Sequence, residues 1–209
     1  WGQALGYFPR NLCMWPLLTA VVVGGMISDD RQHGTSAIYF SRPISRMDYI
    51  SMKYLSVAII LGFVIVFSYF AYYTSAIVFK GEGWAYLADT LPIFLGGMLA
   101  GSILVITYTS IGLALSSISQ SRFFAAIGFL SIIYGTKLVS LLVELQFETT
   151  FMYAMSPYDC LAHLGQILLG IPSNYEHPVS ISVVSLIVMN SAAIWLLVSR
   201  VTSLEVTRE

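Results

Sequence analysis

The sequence predicts an all-α integral membrane protein, and three observations carry that prediction. Hydrophobic residues make up 57% of the 209 and charged residues only 10%, against about 25% charged in soluble domains. Apolar runs long enough to cross a bilayer recur along the chain. These runs lack the alternation of a barrel strand, so only helices can satisfy their backbone groups within lipid.

Five segments meet or approach the roughly 20 residues that span about 30 Å of hydrocarbon. They are Leu12–Ser28, Tyr54–Phe79, Pro92–Ile118, Phe123–Val143 and Val179–Ser199, all within one transmembrane domain over residues 1–209. The sequence opens on Trp1 with no signal-peptide pattern before the first run. An upstream part carrying a sixth span is therefore expected.

The connections give the orientation. Loop Asp29–Lys53, turn Ser119–Arg122 and tail Ser199–Glu209 share one side and hold Arg31, Arg42, Arg46, Lys53, Arg122, Arg200 and Arg208. The other side holds Arg10 and Lys80, while Lys137 lies inside a span. Seven against two makes the first side, and the C-terminus, cytoplasmic. Residues 144–178 then form an external connection without Lys or Arg, and Trp84, Tyr86, Tyr153, Tyr158 and Tyr175 suit an outer aromatic belt.

The polar insertion 29–53 has its own grammar. Gly34 stops the preceding helix and Thr35 caps a short transverse one, which Pro43 ends by disfavouring helix at Arg42. Ser45 and Asp48 form a capping box that opens the next span. Ile38, Tyr39 and Phe40 place apolar surface at the water boundary, where either the headgroup layer or a partner's groove can receive it. Arg42 and Arg46 flank them and suit acidic groups of a partner or lipid phosphates.

In the external connection, Ser156, Pro157 and Asp159 start a second helix. Leu161, Leu164, Leu168 and Ile171 lie on one face, with Asp159, His163 and Gln166 on the other. This pattern predicts an amphipathic helix at the outer leaflet. Lys137 and Glu144 are seven residues apart on one helical face and form a candidate lining of a translocation path; snorkelling of Lys137 is the plainer account. Asn190 in the last span is open between path lining and inter-helix hydrogen bonding, and Gly97 with Gly101 predicts close helix packing within the subunit.

Several chemistries are excluded. No phosphate-cradling G-x-x-x-x-G-K-[ST] occurs, and no zinc-protease motif. His33, His163 and His177 are scattered over loops on both sides, so neither a metal site nor a catalytic array is expected. No basic cluster points to nucleic acid. Cys13 and Cys160 both fall near the outer side, and nothing in the sequence brings them together.

Asp30, Gly34, Thr35, Ser41, Arg42, Pro43, Ser45, Arg46, Tyr49 and Lys53, together with the turn SSISQSRFFAAIGF, resemble the permease subunit of type-2 ABC exporters. The resemblance covers essentially the whole chain. It implies six spans preceded by a cytoplasmic amphipathic helix, in the cytoplasmic (inner) membrane of a prokaryote. It also implies that Asp30, Gly34, Thr35, Ile38, Tyr39, Phe40, Arg42, Pro43 and Arg46 form a coupling segment gripped by a separate ATP-binding cassette subunit. ATP and magnesium would be bound there, with no cofactor, metal or catalytic residue in this chain. A second permease copy or a related permease would complete the membrane half, and the external helix would act as a lid-like element. The apolar spans suit a hydrophobic or amphipathic cargo. An ATP-independent secondary carrier, or a scaffold passing ATP-driven motion to an extracytoplasmic partner, stand as alternatives.

Overall fold

The computed structural model describes residues 14–33, 45–80 and 83–206, and among them every regular element is helical. In chain order these are α1 (Met14–Gly24), α2 (Ser28–Gln32), α3 (Arg46–Lys80), α4 (Gly83–Ile118), α5 (Arg122–Phe147), a 3₁₀ turn (Phe151–Met155), α6 (Pro157–Leu168) and α7 (Val179–Val206). Four stretches are long and apolar enough to cross a membrane: Arg46–Phe79, Leu87–Ile118, Arg122–Phe147 and Val179–Val201.

The fifth expected span differs from its prediction. Instead of running through to Ser28, α1 ends at Gly24 after 11 described residues and gives way to a turn over 25–27. Two consecutive glycines, Gly24 and Gly25, weaken the helix there. The short α2 then resumes in a new direction.

The other spans are longer than the apolar runs that announced them. The capping box starts α3 as expected: Ser45 Oγ accepts from the Asp48 N–H at 3.1 Å, and the Asp48 carboxylate accepts from the Ser45 N–H at 3.2 Å. The polar first turns are thus part of the same 35-residue rod, about 52 Å long at 1.5 Å per residue. Expected to begin at Pro92, α4 instead carries that proline inside it. Two tyrosines of α3 hydrogen-bond on either side of it: Tyr73 OH pairs with Thr90 Oγ1 at 2.6 Å, and Tyr69 OH donates to the Ile93 carbonyl at 3.0 Å.

The centre of the bundle is α4, packed against α1, α3, α5, α6 and α7. Its composition explains the position, because small and hydroxyl side chains let neighbouring backbones come close. Thr107, Thr109, Ser110, Ser116 and Ser117 are all buried. Against it α3 lays Val57, Leu61, Ile65, Tyr69 and Tyr73, every fourth residue, while Leu55, Ile59, Phe63 and Phe67 face outward. A row at that spacing is the ridge helices use to interlock.

Two glycines of α4 admit their neighbours directly. A Cβ on Gly97 would sit 2.1 Å from the Tyr69 ring, and one on Gly96 would sit 2.0 Å from the carbonyl oxygen of Leu168. The expected small-residue contact is therefore internal to the subunit, and Gly96 also seats the C-terminal end of α6.

Helix α6 forms where its cap predicts and is largely enclosed by protein. Asp159, His163 and Gln166, expected on its polar outer side, are buried, while Ile167 is exposed. The helix is wedged among α4, α5, α7 and the 3₁₀ turn, with its polar face turned inward onto polar partners.

Replacing Gly96 with Ala should destabilise the chain by about 1–3 kcal/mol, the usual effect of overpacking. Thermal unfolding in detergent measures this, and Gly135→Ala, at a site with open space around it, serves as the control that stays near the wild-type midpoint.

Candidate functional site

Two polar constellations stand out, one at each end of the bundle. The first lies on α2 and α3, which flank in sequence the segment marked for coupling. Of its predicted residues, Gly34, Thr35, Ile38, Tyr39, Phe40, Arg42 and Pro43 lie outside the described residues, whereas Asp30 and Arg46 are described. Asp30, on α2, receives the Lys53 ammonium at 2.8 Å and the Tyr49 hydroxyl at 2.7 Å, both from the first turns of α3. Lys53 also lies 5.7 Å from the Tyr49 ring centre. The residues that enter and leave 34–44 are thus held side by side. Arg46 is exposed at the start of α3.

The same corner is tied to α4. Ser116 Oγ accepts from the Ile27 and Ser28 N–H groups at 3.1 and 3.2 Å and donates to the Gly24 carbonyl at 3.3 Å. One buried hydroxyl therefore serves three backbone groups exposed by the break between α1 and α2. The Arg31 guanidinium donates to the Ser117 carbonyl, placing a cation at the negative end of α4, where the helix dipole favours it.

The second constellation is built around α6. Ser156 caps the helix by accepting from the Asp159 N–H at 3.3 Å. The Asp159 carboxylate does not complete the box, because it has charged and phenolic partners. Its Oδ1 accepts from Lys137 Nζ at 3.0 Å and from Tyr175 OH at 3.1 Å. Asp159 is 1% exposed, and its Oδ2 makes no hydrogen bond. Lys137 lies 3.9 Å from the Tyr158 ring centre, a cation–π contact on the opposite flank.

The two residues expected to line a path have separate partners. Lys137 and Glu144 do not meet; Glu144 accepts from the Tyr153 hydroxyl, and Lys137 belongs to Asp159. Nor does Lys137 simply snorkel. Asn190 joins helices, donating to Thr107 Oγ1 on α4 at 3.1 Å and to the Leu186 carbonyl at 2.8 Å. It also lines a groove of about 340 Å³ between α4 and α7 that Leu164 of α6 borders.

The histidines hold the second surprise. His163 and His177, expected to be unrelated, face each other with Nδ1 and Nε2 3.2 Å apart. Ser182 Oγ lies 2.9 Å from the first and 2.8 Å from the second. Burial depresses both imidazoles below the ordinary histidine range, and the proximity of His177 adds to the effect on His163. Burial foremost, then Asp159, raises the Tyr175 phenol, and burial with the Glu144 bond raises that of Tyr153. Tyr153 and Tyr175, expected in an aromatic belt, are therefore hydrogen-bond donors inside the network. Cys160 is buried with its thiol directed at the Ala154 carbonyl, 3.2 Å away, and burial pushes it up to about 12. Among the described residues no group of three metal-ligating side chains comes together.

Apart from His177 with Ser182, five positions apart, the network around α6 links residues through separations of 9 to 22 positions. The only local trace of it was the polar stripe of α6, whose spacing tells that it is a face but not which way the face turns.

The family model described as ABC-2 family transporter protein matches residues 12–172. The chain belongs to this family. As an ABC-2 transporter permease it is a multi-pass membrane subunit of an ABC transporter and not itself a catalytic enzyme. Permeases of this family generally work with an ATP-binding subunit. No curated protein sequence matches the chain. The match takes in the α2–α3 junction and α6, and stops short of His177, Ser182 and Asn190.

Two outcomes test the geometry of this permease. Lys137→Met leaves the buried Asp159 carboxylate without its cation and should cost about 3 kcal/mol, the lower end for breaking a buried pair because Lys137 is partly exposed. Adding Asp159→Asn should restore a large part of that loss in thermal unfolding. At the α2–α3 junction, Asp30→Asn and Tyr49→Phe should couple in a double-mutant cycle by about 0.5–2 kcal/mol; strict additivity would mean that the bond contributes nothing.

Proposed function

We propose that this permease couples to a separate ATP-binding subunit through residues 34–46 and moves a hydrophobic or amphipathic substrate outward across a prokaryotic inner membrane. Family membership, together with the junction at Asp30, is the observation that carries the reading. An external pull on 34–46 reaches α2 and α3 together because Asp30, Tyr49 and Lys53 join them. The Ser116 and Arg31 contacts hand the same pull to α4, which touches most other helices of the bundle. Motion delivered at one corner therefore engages the whole subunit rather than a flexible loop.

In this reading Asp30 and Arg46 bracket the contact surface. Gly34, Thr35 and Pro43 shape it, while Ile38, Tyr39, Phe40 and Arg42 enter the partner's groove. ATP and magnesium are held by the partner, and a second copy or a related permease completes the membrane half. The C-terminus is cytoplasmic, α6 lies at the outer leaflet, and the groove beside Asn190 together with Lys137 and Glu144 borders the path taken by substrate. Coupling needs only that the partner's ATP-bound state hold the segment differently from its empty state.

The double substitution Arg42→Glu with Tyr39→Ala should abolish most substrate-stimulated ATP hydrolysis by the assembled complex while leaving membrane insertion intact. Hydrolysis that still responds to substrate in this variant would remove the coupling role from 34–46. Flux measured in sealed vesicles separates an exporter from a scaffold that relays motion to an extracytoplasmic partner.

A further inference from the structure

The most concentrated unassigned chemistry lies where α6 meets the start of α7. Three elements each contribute one group: His163 from α6, His177 from the preceding loop and Ser182 from α7. Their polar atoms form a triangle with sides of 3.2, 2.9 and 2.8 Å. His163, His177 and Ser182 are 1%, 5% and 0% exposed. We propose that this triangle is a proton-binding clasp: it fastens α6 to α7 while the rings are neutral and lets go once both rings are protonated.

The argument is one of proton accounting. With both rings neutral, the hydroxyl can accept from one facing nitrogen and donate to the other, so every facing atom has a role. Which ring carries the facing proton is interchangeable. A single added proton can be shared across the 3.2 Å gap between the nitrogens. A second places an N–H on both facing nitrogens and two positive charges in contact. The hydroxyl then has two donors to accept from, and neither ring offers it a lone pair.

The surroundings offer that charge little relief. From α6 itself come Asp159 and Cys160, from the loop Tyr175 and Glu176, from the 3₁₀ turn Tyr153, and from α5 Lys137 and Glu144. Asp159 is already committed to Lys137 and Tyr175, and Glu144 to Tyr153. Cys160 and the tyrosines stay neutral. The ring of Tyr175 packs on both imidazoles, 5.0 and 5.7 Å between centres. From α7 comes Ser182, and α4 meets α6 through Gly96. Separation of the rings, with water entering between them, is the direct way to accommodate two charges.

The direction of the pH effect follows. Each ring binds protons more weakly when folded than when unfolded. The clasp's contribution is thus complete above the unfolded histidine value of about 6.5 and declines as pH falls below it. Acid is the opening signal.

Cys160 reports on the clasp because it is fully buried one turn before His163. The test uses the full chain in lipid nanodiscs, so that either face is accessible, with Cys13→Ala leaving Cys160 as its single thiol. Labelling by N-ethylmaleimide is measured at about pH 7.5 and about pH 5, each relative to the unfolded chain at the same pH, which removes the thiol's own pH dependence. Protection of Cys160 should fall at least about tenfold on acidification, and the fall should vanish in His163→Gln with His177→Gln. Constant protection overturns the proposal, as does an equal fall in the double variant, which would assign it to the carboxylates. Should the double variant not fold, histidine ring NMR of the Cys13→Ala chain decides. With the signals assigned to His163 and His177, two separate titrations below about 6.5 support the clasp, and titration of both at or above it refutes it. No step of the test needs an ATP-binding subunit, so its outcome is independent of the transport reading.

Discussion

The ion pair between Lys137 and Asp159 is the interaction around which the α6 end of this permease is organised. A carboxylate that is almost wholly enclosed needs a cation and hydrogen-bond donors close by. Lys137 and Tyr175 supply them from α5 and from the loop after α6. That single requirement turns the polar stripe of α6 inward, draws the loop carrying Tyr175 and His177 against it, and leaves Glu144 to bind Tyr153. The packing of α6 into the Gly96 notch of α4 follows the same orientation. An outer helix that could have lain flat at an interface becomes a wedge between membrane helices.

At the other end the governing requirement is different. Breaking α1 at Gly24 and Gly25 exposes backbone groups in a place shielded from water, and each must find a partner. Ser116 provides it, and Arg31 in turn meets the exposed carbonyl end of α4. Side-chain hydrogen bonds and the Asp30–Lys53 ion pair thus tie α1, α2, α3 and α4 together at this junction.

Local chemistry was legible in the sequence and tertiary partnership was not. Ser45 with Asp48, and Ser156 with Pro157, announced two helix starts because capping is decided by residues three apart. The four long spans were announced by hydropathy, though each helix runs past its apolar run; in α3 the excess is the polar first turns behind the Ser45–Asp48 cap. The extent of α1 was misjudged because apolarity alone does not register two adjacent glycines. Lys137 and Glu144 share a helical face in the sequence, but the partner of Lys137 comes from another element 22 residues away. His163 and His177 lie in one connection, yet nothing in their spacing tells that the fold brings their rings together. Asn190 was open between two roles; it bonds Thr107 across helices and also lines a groove.

Turning the charged side of α6 inward has a consequence for any rearrangement that lifts it. In most bundles, withdrawing a surface helix uncovers oily side chains that close again against lipid. Here withdrawal would bare a carboxylate, an ammonium, two imidazoles and several phenols at once. Lipid tails cannot solvate such a surface, so the cavity left behind would have to fill with water. A loosened α6 end of this protein would therefore be a hydrated vestibule rather than a greasy slot.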